Sequence, residues 1–223
     1  PDSLQYTELP PMPVPVDDAV AVVYADRYIY LVSGWHDTDN VDLVQLLDLE
    51  TLSWSRATGF PGPPVFGHAG GISGQTPVIC DGVKVVPKTD GTRQFSASRA
   101  CFKGQINAAN PNKIEWERIE HPPGPARYRM AATGSPTGRI YFAGGSDNPY
   151  NYNGIGYDGV PSSPSSEVFA YDVASSSWLQ LASMPFASMD HRALLPLHDG
   201  YLLVGGMGSG QTVLNRTLLL DLE

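Results

Sequence analysis

The chain carries one short element four times: an aromatic residue followed seven positions later by a proline. Further along each unit, a glycine closes an apolar run. Repetition at this scale is typical of solenoids and propellers, so it constrains the fold more than any other feature of the sequence. The aromatic–proline elements are Tyr6–Pro13, Trp54–Pro61, Trp116–Pro123 and Trp178–Pro185, and the closing glycines are Gly34, Gly82, Gly145 and Gly206.

Each unit predicts four β-strands, which we call a to d in chain order. Strand a is small and apolar, strand b is apolar or alternating, strand c ends at an aspartate such as Asp172, and strand d begins at the aromatic residue. Period-2 alternation and β-branched or aromatic content support strands, and turn-forming residues after the aspartate favour a tight hairpin between c and d. In the third unit, strands a, b and c are predicted at Met130–Thr133, Arg139–Ala143 and Glu167–Tyr171.

The pattern resembles the Kelch repeat family, including the propellers similar to galactose oxidase. The run Ile140–Gly145, the pair Tyr171–Asp172 and the aromatic–proline element carry the resemblance. The second unit matches least, because its strand c at Arg99–Gln105 lacks a Tyr-Asp pair. The resemblance implies that each unit forms one blade of a β-propeller.

The sequence therefore predicts an all-β Kelch propeller of four four-stranded blades in a single domain. We place the blades at residues 14–62, 63–124, 125–186, and 187–223 together with 1–13. The N-terminal strand Leu4–Leu9 is predicted to complete the last blade beside Thr217–Asp221. A fragment of a longer array would show the same ends, so both interpretations stay open.

Composition excludes several classes of function. The formal net charge of −9 disfavours binding to nucleic acid, and the apolar runs are too short to span a membrane. Two cysteines are too few to indicate a zinc site, and no metal or cofactor is predicted. Cys80 and Cys101 lie on neighbouring strands, so a disulfide and two buried thiols are both open. A disulfide would indicate a periplasmic or secreted protein; otherwise the compartment is unknown.

One mouth of the channel is the predicted site, because the d–a and b–c loops of all blades converge there and loops on a rigid scaffold often carry function. Polar residues stand at or beside the predicted start of each strand a. They either form a ligand site or satisfy one another. They are Asp18, His68, Arg127, Arg129, Asp190, His191 and Arg192.

The long b–c loop of the third blade, residues 146–166, is the second candidate feature. Asp147, Asn148, Tyr150 and Tyr152 lie within it. Tyrosine rings and amide groups suit the apolar faces and hydroxyl edges of sugars, and long loops are often functional. The alternative is a loop that only covers a neighbouring blade.

These features predict a propeller that binds a small polar, carbohydrate-like ligand at the channel mouth. One alternative is a mutarotase or epimerase for sugars of the sialic-acid type, as in bacterial Kelch propellers similar to this one. His68 or His191 would then move the proton, and Arg129 or Arg192 would hold a carboxylate. A second alternative is a scaffold that binds a protein partner. Whether the chain is an enzyme is left open.

Overall fold

The protein is an all-β propeller of four small antiparallel sheets, as the repeats predict. The structure, a computed structural model, describes residues 5–222. Within that range the one helical element is a single 3-10 turn, Ser209–Gln211.

Blade 1 is a four-stranded sheet in the order β1-β2-β5-β6, which corresponds to strands a to d. A two-residue hairpin, β3–β4, is inserted between strands b and c. The strands are β1 Val20–Tyr24, β2 Tyr28–Val32, β3 Trp35–His36, β4 Asp39–Asn40, β5 Val44–Asp48 and β6 Ser53–Arg56.

Blade 2 has the same order, with β7, β8, β11 and β12 as strands a to d. A longer hairpin, β9–β10, extends its b–c connection, and the sequence analysis did not predict it. The strands are β7 Ala69–Ser73, β8 Thr76–Cys80, β9 Val83–Pro87, β10 Arg93–Ala97, β11 Cys101–Ile106 and β12 Ile114–Ile119.

Blade 3 is the most regular sheet, in the order β13-β14-β15-β16. The predicted strand b coincides with β14, and the predicted strands a and c each lie one residue from the observed ones. The strands are β13 Ala131–Gly134, β14 Arg139–Ala143, β15 Val168–Asp172 and β16 Ser177–Gln180.

Blade 4 contains three strands in the described residues, β17 Leu195–Leu197, β18 Gly200–Val204 and β19 Thr217–Leu220. The predicted closing strand, Leu4–Leu9, is therefore corrected for the residues that the structure describes: residues 5–9 form no strand, and Leu4 lies outside the described range. A run rich in proline after Leu9 does not supply the amide donors that a ladder needs.

The N-terminal segment instead contacts blade 1. The indole Nε1 of Trp54 donates to the carbonyl oxygen of Pro10 at 2.8 Å. Trp178 donates in the same way to the carbonyl oxygen of Glu120, which follows strand d of the preceding blade, at 2.6 Å. Trp54 and Trp178 thus each fasten their blade to the chain segment that precedes it.

Three apolar cores lie between successive blades. The first joins Val22, Tyr30 and Leu46 of blade 1 to Ile79 and Phe102 of blade 2. The second lies between blades 2 and 3 and the third between blades 3 and 4. Burial of apolar area stabilises a fold by about 25 cal/mol per Å². The three cores therefore stabilise the packing of each of these blades against the next.

The inner strands approach so closely that two glycines are required. A Cβ on Gly134 would lie 1.7 Å from the carbonyl oxygen of Ile72, and a Cβ on Gly71 would lie 2.4 Å from the backbone of Thr133. Strands β7 and β13 therefore pack backbone against backbone near the axis, and the channel is narrow between these blades.

The face of blade 4 that points away from blade 3 is apolar, and residues 5–222 leave it uncovered. Leu195, Leu202 and Leu219 are paired in register across its three strands. Leu195 is 49% exposed and Leu219 is 54% exposed. The opposite face, with Tyr201 and Leu203, is buried against blade 3. Blade 4 thus has one buried and one accessible apolar face.

Cys80 and Cys101 form a disulfide between β8 and β11, where the two residues are directly opposite in the ladder. The sequence left a bridge and two thiols open, and the structure contains the bridge. It lies inside the core between blades 2 and 3.

Candidate functional site

The channel mouth is built on one residue per blade in the left-handed backbone conformation. These residues are Asp18, Gly67, Arg129 and Asp190, with φ of 55°, 62°, 54° and 67°. The amide of Gly67 donates to the carbonyl of Asp18 at 2.9 Å, and the amide of Arg129 donates to the carbonyl of Gly67 at 2.8 Å. This backbone ladder links the blades around the axis.

The ladder corrects the predicted alignment of the polar ring. The residues equivalent to Asp18 and Arg129 are Gly67 and Asp190, each one position before the predicted His68 and His191. The backbone turn at the left-handed residue directs the next side chain into the blade instead of towards the mouth. Both histidines are buried accordingly, at 6% and 5% exposure.

Four charged side chains from three blades converge at this mouth. Arg129 donates from Nε and Nη2 to Oδ2 of Asp18, at 3.0 and 2.7 Å, and from Nη1 to Oδ1 of Asp190 at 2.9 Å. Nε of Arg192 lies 2.9 Å from Oδ1 of Asp18. The structure therefore brings together the predicted residues Asp18, Arg129, Asp190 and Arg192, and their two positive and two negative charges balance.

The network is layered by depth. The side chains of Asp18 and Arg129 are 3% and 15% exposed, whereas those of Asp190 and Arg192 are 30% and 52% exposed. The inner pair is thus withdrawn from water and fixed by several hydrogen bonds, and the outer pair faces solvent. A fixed inner layer holds the outer groups in position.

Both histidines are poor candidates for acid–base chemistry. Nε2 of His68 lies 2.8 Å from the carbonyl oxygen of Val32, and Nε2 of His191 lies 2.7 Å from the hydroxyl of Ser188. The ring of His191 packs on Gly206, where a Cβ would lie 2.4 Å from it. Burial lowers the pKa of each histidine to about 4, so both are neutral at pH 7.

An aromatic cluster covers the mouth beside the charged network. Tyr128 and Tyr150 meet edge to face at 5.0 Å between ring centroids, and the guanidinium of Arg129 lies 4.7 Å from the Tyr128 centroid. Phe95 of the blade 2 hairpin stacks on Tyr157 of the blade 3 loop at 4.3 Å. The cluster thus links the b–c loops of blades 2 and 3.

The predicted loop residues have different roles. Tyr150 is fully buried, Asp147 is exposed, and Tyr152 is 89% exposed. Asn148 donates to the carboxylate of Asp158 within the same loop, at 3.2 Å to Oδ1. The loop is therefore internally organised, with Tyr150 anchoring it and Tyr152 accessible.

Arg127 does not join the charged network at the mouth. Its guanidinium pairs with Glu167 at the start of strand c in its own blade, and its side chain is 10% exposed. The Arg127–Glu167 ion pair therefore lies beside the loop, apart from the four charged side chains that converge at the mouth.

Sequence reasoning missed the aromatic residues Trp35, Phe66 and Phe95, which pack against Tyr128 and Tyr157. Each of these aromatic residues lies near a strand end at the mouth, which a sequence reader could have noted. The residue spacing, however, does not show that their rings contact one another. The sequence also gave no sign that His121 and Asp81 are hydrogen-bonded, at 2.7 Å, below the mouth.

The fold and the convergent mouth define a β-propeller. No family model matches the chain. The structure is similar to a solved structure titled "Structure of YjhT", with a TM-score of 0.72 and 17% sequence identity, over 95% of this chain and 68% of that one. The chain is also 38% identical over 72 residues to acyl-CoA-binding domain-containing protein 5 of Arabidopsis thaliana. That match spans 31% of this chain and 11% of the relative.

The likeness to the solved structure shows the propeller fold alone. Among residues 5–222, the structure has no helix of the length and apolar character that crossing a membrane requires.

Proposed function

We propose that the chain is a Kelch-type propeller that binds a small polar, carbohydrate-like ligand at the channel mouth. The single observation that supports this is the layered network, in which the buried pair Asp18–Arg129 positions the partly exposed Asp190 and Arg192. A guanidinium suits a carboxylate, and a carboxylate beside it accepts hydrogen bonds from hydroxyls. An acidic sugar offers both groups.

Binding without catalysis is favoured over the mutarotase. That reaction needs a group that exchanges a proton with the sugar, and His68 and His191 are buried and bonded to the protein. Arg129 is engaged with two carboxylates. His68, His191 and Arg129 are therefore poorly placed to exchange a proton with a sugar or to hold its carboxylate, whereas Arg192 is accessible.

The experiment is saturation-transfer NMR with a panel of free sugars, including uronic acids, sialic acid and the corresponding neutral sugars. We expect the acidic sugars to bind and Arg192→Ala to reduce their affinity at least tenfold. Arg216→Ala, which removes a guanidinium packed on Phe186 away from the network, is the matched control. The proposal is contradicted if no sugar of the panel binds, or if Arg192→Ala and Arg216→Ala bind the acidic sugars with equal affinity.

A protein partner is a second candidate, supported by exposed apolar side chains on the loops of blades 3 and 4. Tyr152, Val160 and Val213 are 89%, 55% and 81% exposed. The two loops are joined by Gln211, which donates to the carbonyl oxygen of Ser162 at 2.9 Å. Accessible apolar groups on ordered loops are typical of protein interaction sites.

A further inference from the structure

A cluster of metal-binding residue types lies below the mouth, between blades 2 and 3. One donor atom from each of Asp81, Cys101 and His121 lies within 4.8 Å of the others. The side chains of Asp81 and His121 are 1% and 6% exposed. Cys80, bonded to Cys101, is the residue before Asp81. Carboxylate, imidazole and thiolate together are the donor set that zinc prefers.

The imidazole of His121 is oriented as in metal sites. Its Nδ1 lies 2.6 Å from the carbonyl oxygen of Pro122, and its Nε2 lies 2.7 Å from Oδ1 of Asp81. When Nδ1 donates its hydrogen to the carbonyl, Nε2 presents its lone pair to the cluster. A histidine that ligates a metal commonly donates its other N–H to a backbone carbonyl in this way.

Asp81 occupies a position where blades 3 and 4 have glycine. Its φ is 66°, and the equivalent residues are Gly144 and Gly205. Its Oδ2 accepts the amide of Arg127 at 2.8 Å. In blade 1 the hydroxyl of Ser33 accepts the equivalent amide, so this hydrogen bond does not by itself require a carboxylate. The negative charge at this buried position is a feature of blade 2 alone among the four.

The cluster also borders free space. A cavity of about 10 Å³ is lined by Cys80, Asp81 and His121 together with Arg127 and Met130. This is about the space that one water molecule needs. This space beside Asp81 and His121 lets the donor atoms close around a single small ion.

We propose that reduction of the Cys80–Cys101 disulfide converts this cluster into a tetrahedral Zn²⁺ site. The cluster supplies three of its ligands, the Cys101 sulfur, Nε2 of His121 and the carboxylate of Asp81. The Cys80 sulfur, which lies outside this group and is freed by the reduction, is the fourth. Zinc bonds of about 2.0–2.3 Å place the donor atoms of a tetrahedron roughly 3.5 Å apart. Donor atoms that now lie within 4.8 Å of one another therefore move closer by about 1 Å at most. The two sulfurs separate to a similar distance when their bond is broken.

The chemistry balances with a thiol reductant. Two thiols reduce the disulfide, giving two cysteine thiols and one external disulfide. Zn²⁺ then replaces both thiol protons, so two protons are released from the cysteines for each ion bound. Attack of one zinc thiolate on an external disulfide reverses the process. The mixed disulfide that forms is displaced by the second cysteine thiolate, so the protein disulfide re-forms, the two external thiolates take up two protons, and Zn²⁺ leaves.

The exchange would preserve the same structural link in two redox environments. Cys80 and Cys101 belong to strands of blade 2, and His121 lies in the segment that leads to blade 3. The disulfide joins strands within one blade, whereas the zinc site also joins the segment between blades. Reducing conditions would thus replace a covalent link by a metal link at the same place.

The test uses the whole chain, oxidised or reduced under argon, with Zn²⁺ affinity measured by competition with a chromophoric chelator. We expect one Zn²⁺ per reduced chain and at least tenfold weaker binding to the oxidised chain. Co²⁺ substituted for zinc should show thiolate charge-transfer absorption, which only Cys80 and Cys101 can supply because the chain has two cysteines.

His121→Ala should weaken Zn²⁺ binding at least tenfold, and His198→Ala is the matched control, because the side chain of His198 is 97% exposed. Equal affinity of the two variants, or equal affinity of the oxidised and reduced chains, overturns the proposal. If the reduced chain unfolds, restoration of its circular dichroism by Zn²⁺ supports the site, and failure to restore it overturns the site.

Discussion

Arg129 and Asp18, from blades 3 and 1, form a buried two-point ion pair on the propeller axis. Nε and Nη2 of the arginine lie 3.0 and 2.7 Å from the same carboxylate oxygen, and the carboxylate is 3% exposed. Blades 1 and 3 are separated in the chain by the whole of blade 2, so this pair fixes the arrangement of the blades around the axis as well as the site.

Removal of Arg129 should therefore destabilise the fold. Arg129→Ala leaves a buried carboxylate with the Tyr128 hydroxyl and the partly exposed Arg192 as its partners. Breaking one side of a buried pair costs about 3 kcal/mol. Arg192→Ala should cost less than about 1 kcal/mol, because the Arg192 side chain is 52% exposed. Urea unfolding of both variants measures the difference in the free energy of unfolding. Similar losses in the two variants would show that the burial of a side chain does not determine how much it stabilises this network.

The repeat predicted the fold because its signals are local and recur. The aromatic residue, the strand-ending glycine and the alternation of strand b each mark a place on one blade, and β14 at Arg139–Ala143 was located to the residue. The β9–β10 hairpin was not, because it is an insertion outside the repeat.

The site was only partly predictable, since it depends on backbone conformation. Asp18 and Arg129 were placed at the mouth, but His68 and His191 were aligned with them by their polarity and approximate spacing. The left-handed residues are instead Gly67 and Asp190, one position earlier. A shift of one residue in the alignment moves a side chain from the mouth to the interior. The number of residues between two landmarks does not fix this alignment to a single position.

Stability should fall with acidification because of the two buried histidines. The pKa of His68 and of His191 is lowered to about 4 in the folded chain, from 6.5. Between these values the unfolded chain binds more protons, so stability is present above pH 6.5 and is lost as the pH falls towards 4. Each histidine contributes a slope of about 1.4 kcal/mol per pH unit.

Urea unfolding at about pH 7, 6 and 5 measures this slope. The variant His191→Asn should reduce the slope by about half, because one of the two titrating groups is removed. His198→Ala, at the exposed a–b turn of blade 4, should leave it unchanged. A slope that does not respond to His191→Asn would show that other groups control the acid sensitivity.

The accessible leucine row of blade 4 should cause this chain to self-associate. Leu195, Leu202 and Leu219 form an apolar row across three strands, and contiguous exposed apolar surface promotes association. Leu219→Glu should shift the chain towards monomer in sedimentation velocity with little loss of stability, because Leu219 is 54% exposed.

Leu203 on the buried face of the same blade is the contrasting position. It is 2% exposed, and Leu203→Ala should cost about 3 kcal/mol without reducing association. The role assigned to the accessible leucine row would be contradicted if the unsubstituted chain is monomeric. It would also be contradicted if Leu219→Glu leaves the association unchanged.

The stacked rings of Phe95 and Tyr157 should be energetically coupled, because they are the contact between the blade 2 hairpin and the blade 3 loop. Their centroids lie 4.3 Å apart with 30° between the ring planes. Such pairs contribute about 1 kcal/mol beyond the area that they bury. A double-mutant cycle with Phe95→Leu and Tyr157→Leu should therefore give a coupling free energy of about 1 kcal/mol. Tyr152→Leu, which changes an accessible ring of the same loop, should show no coupling to Phe95→Leu. Strict additivity for Phe95 and Tyr157 would mean that the two loops are held in place by their own internal hydrogen bonds, and the mouth would then owe its shape to each blade separately.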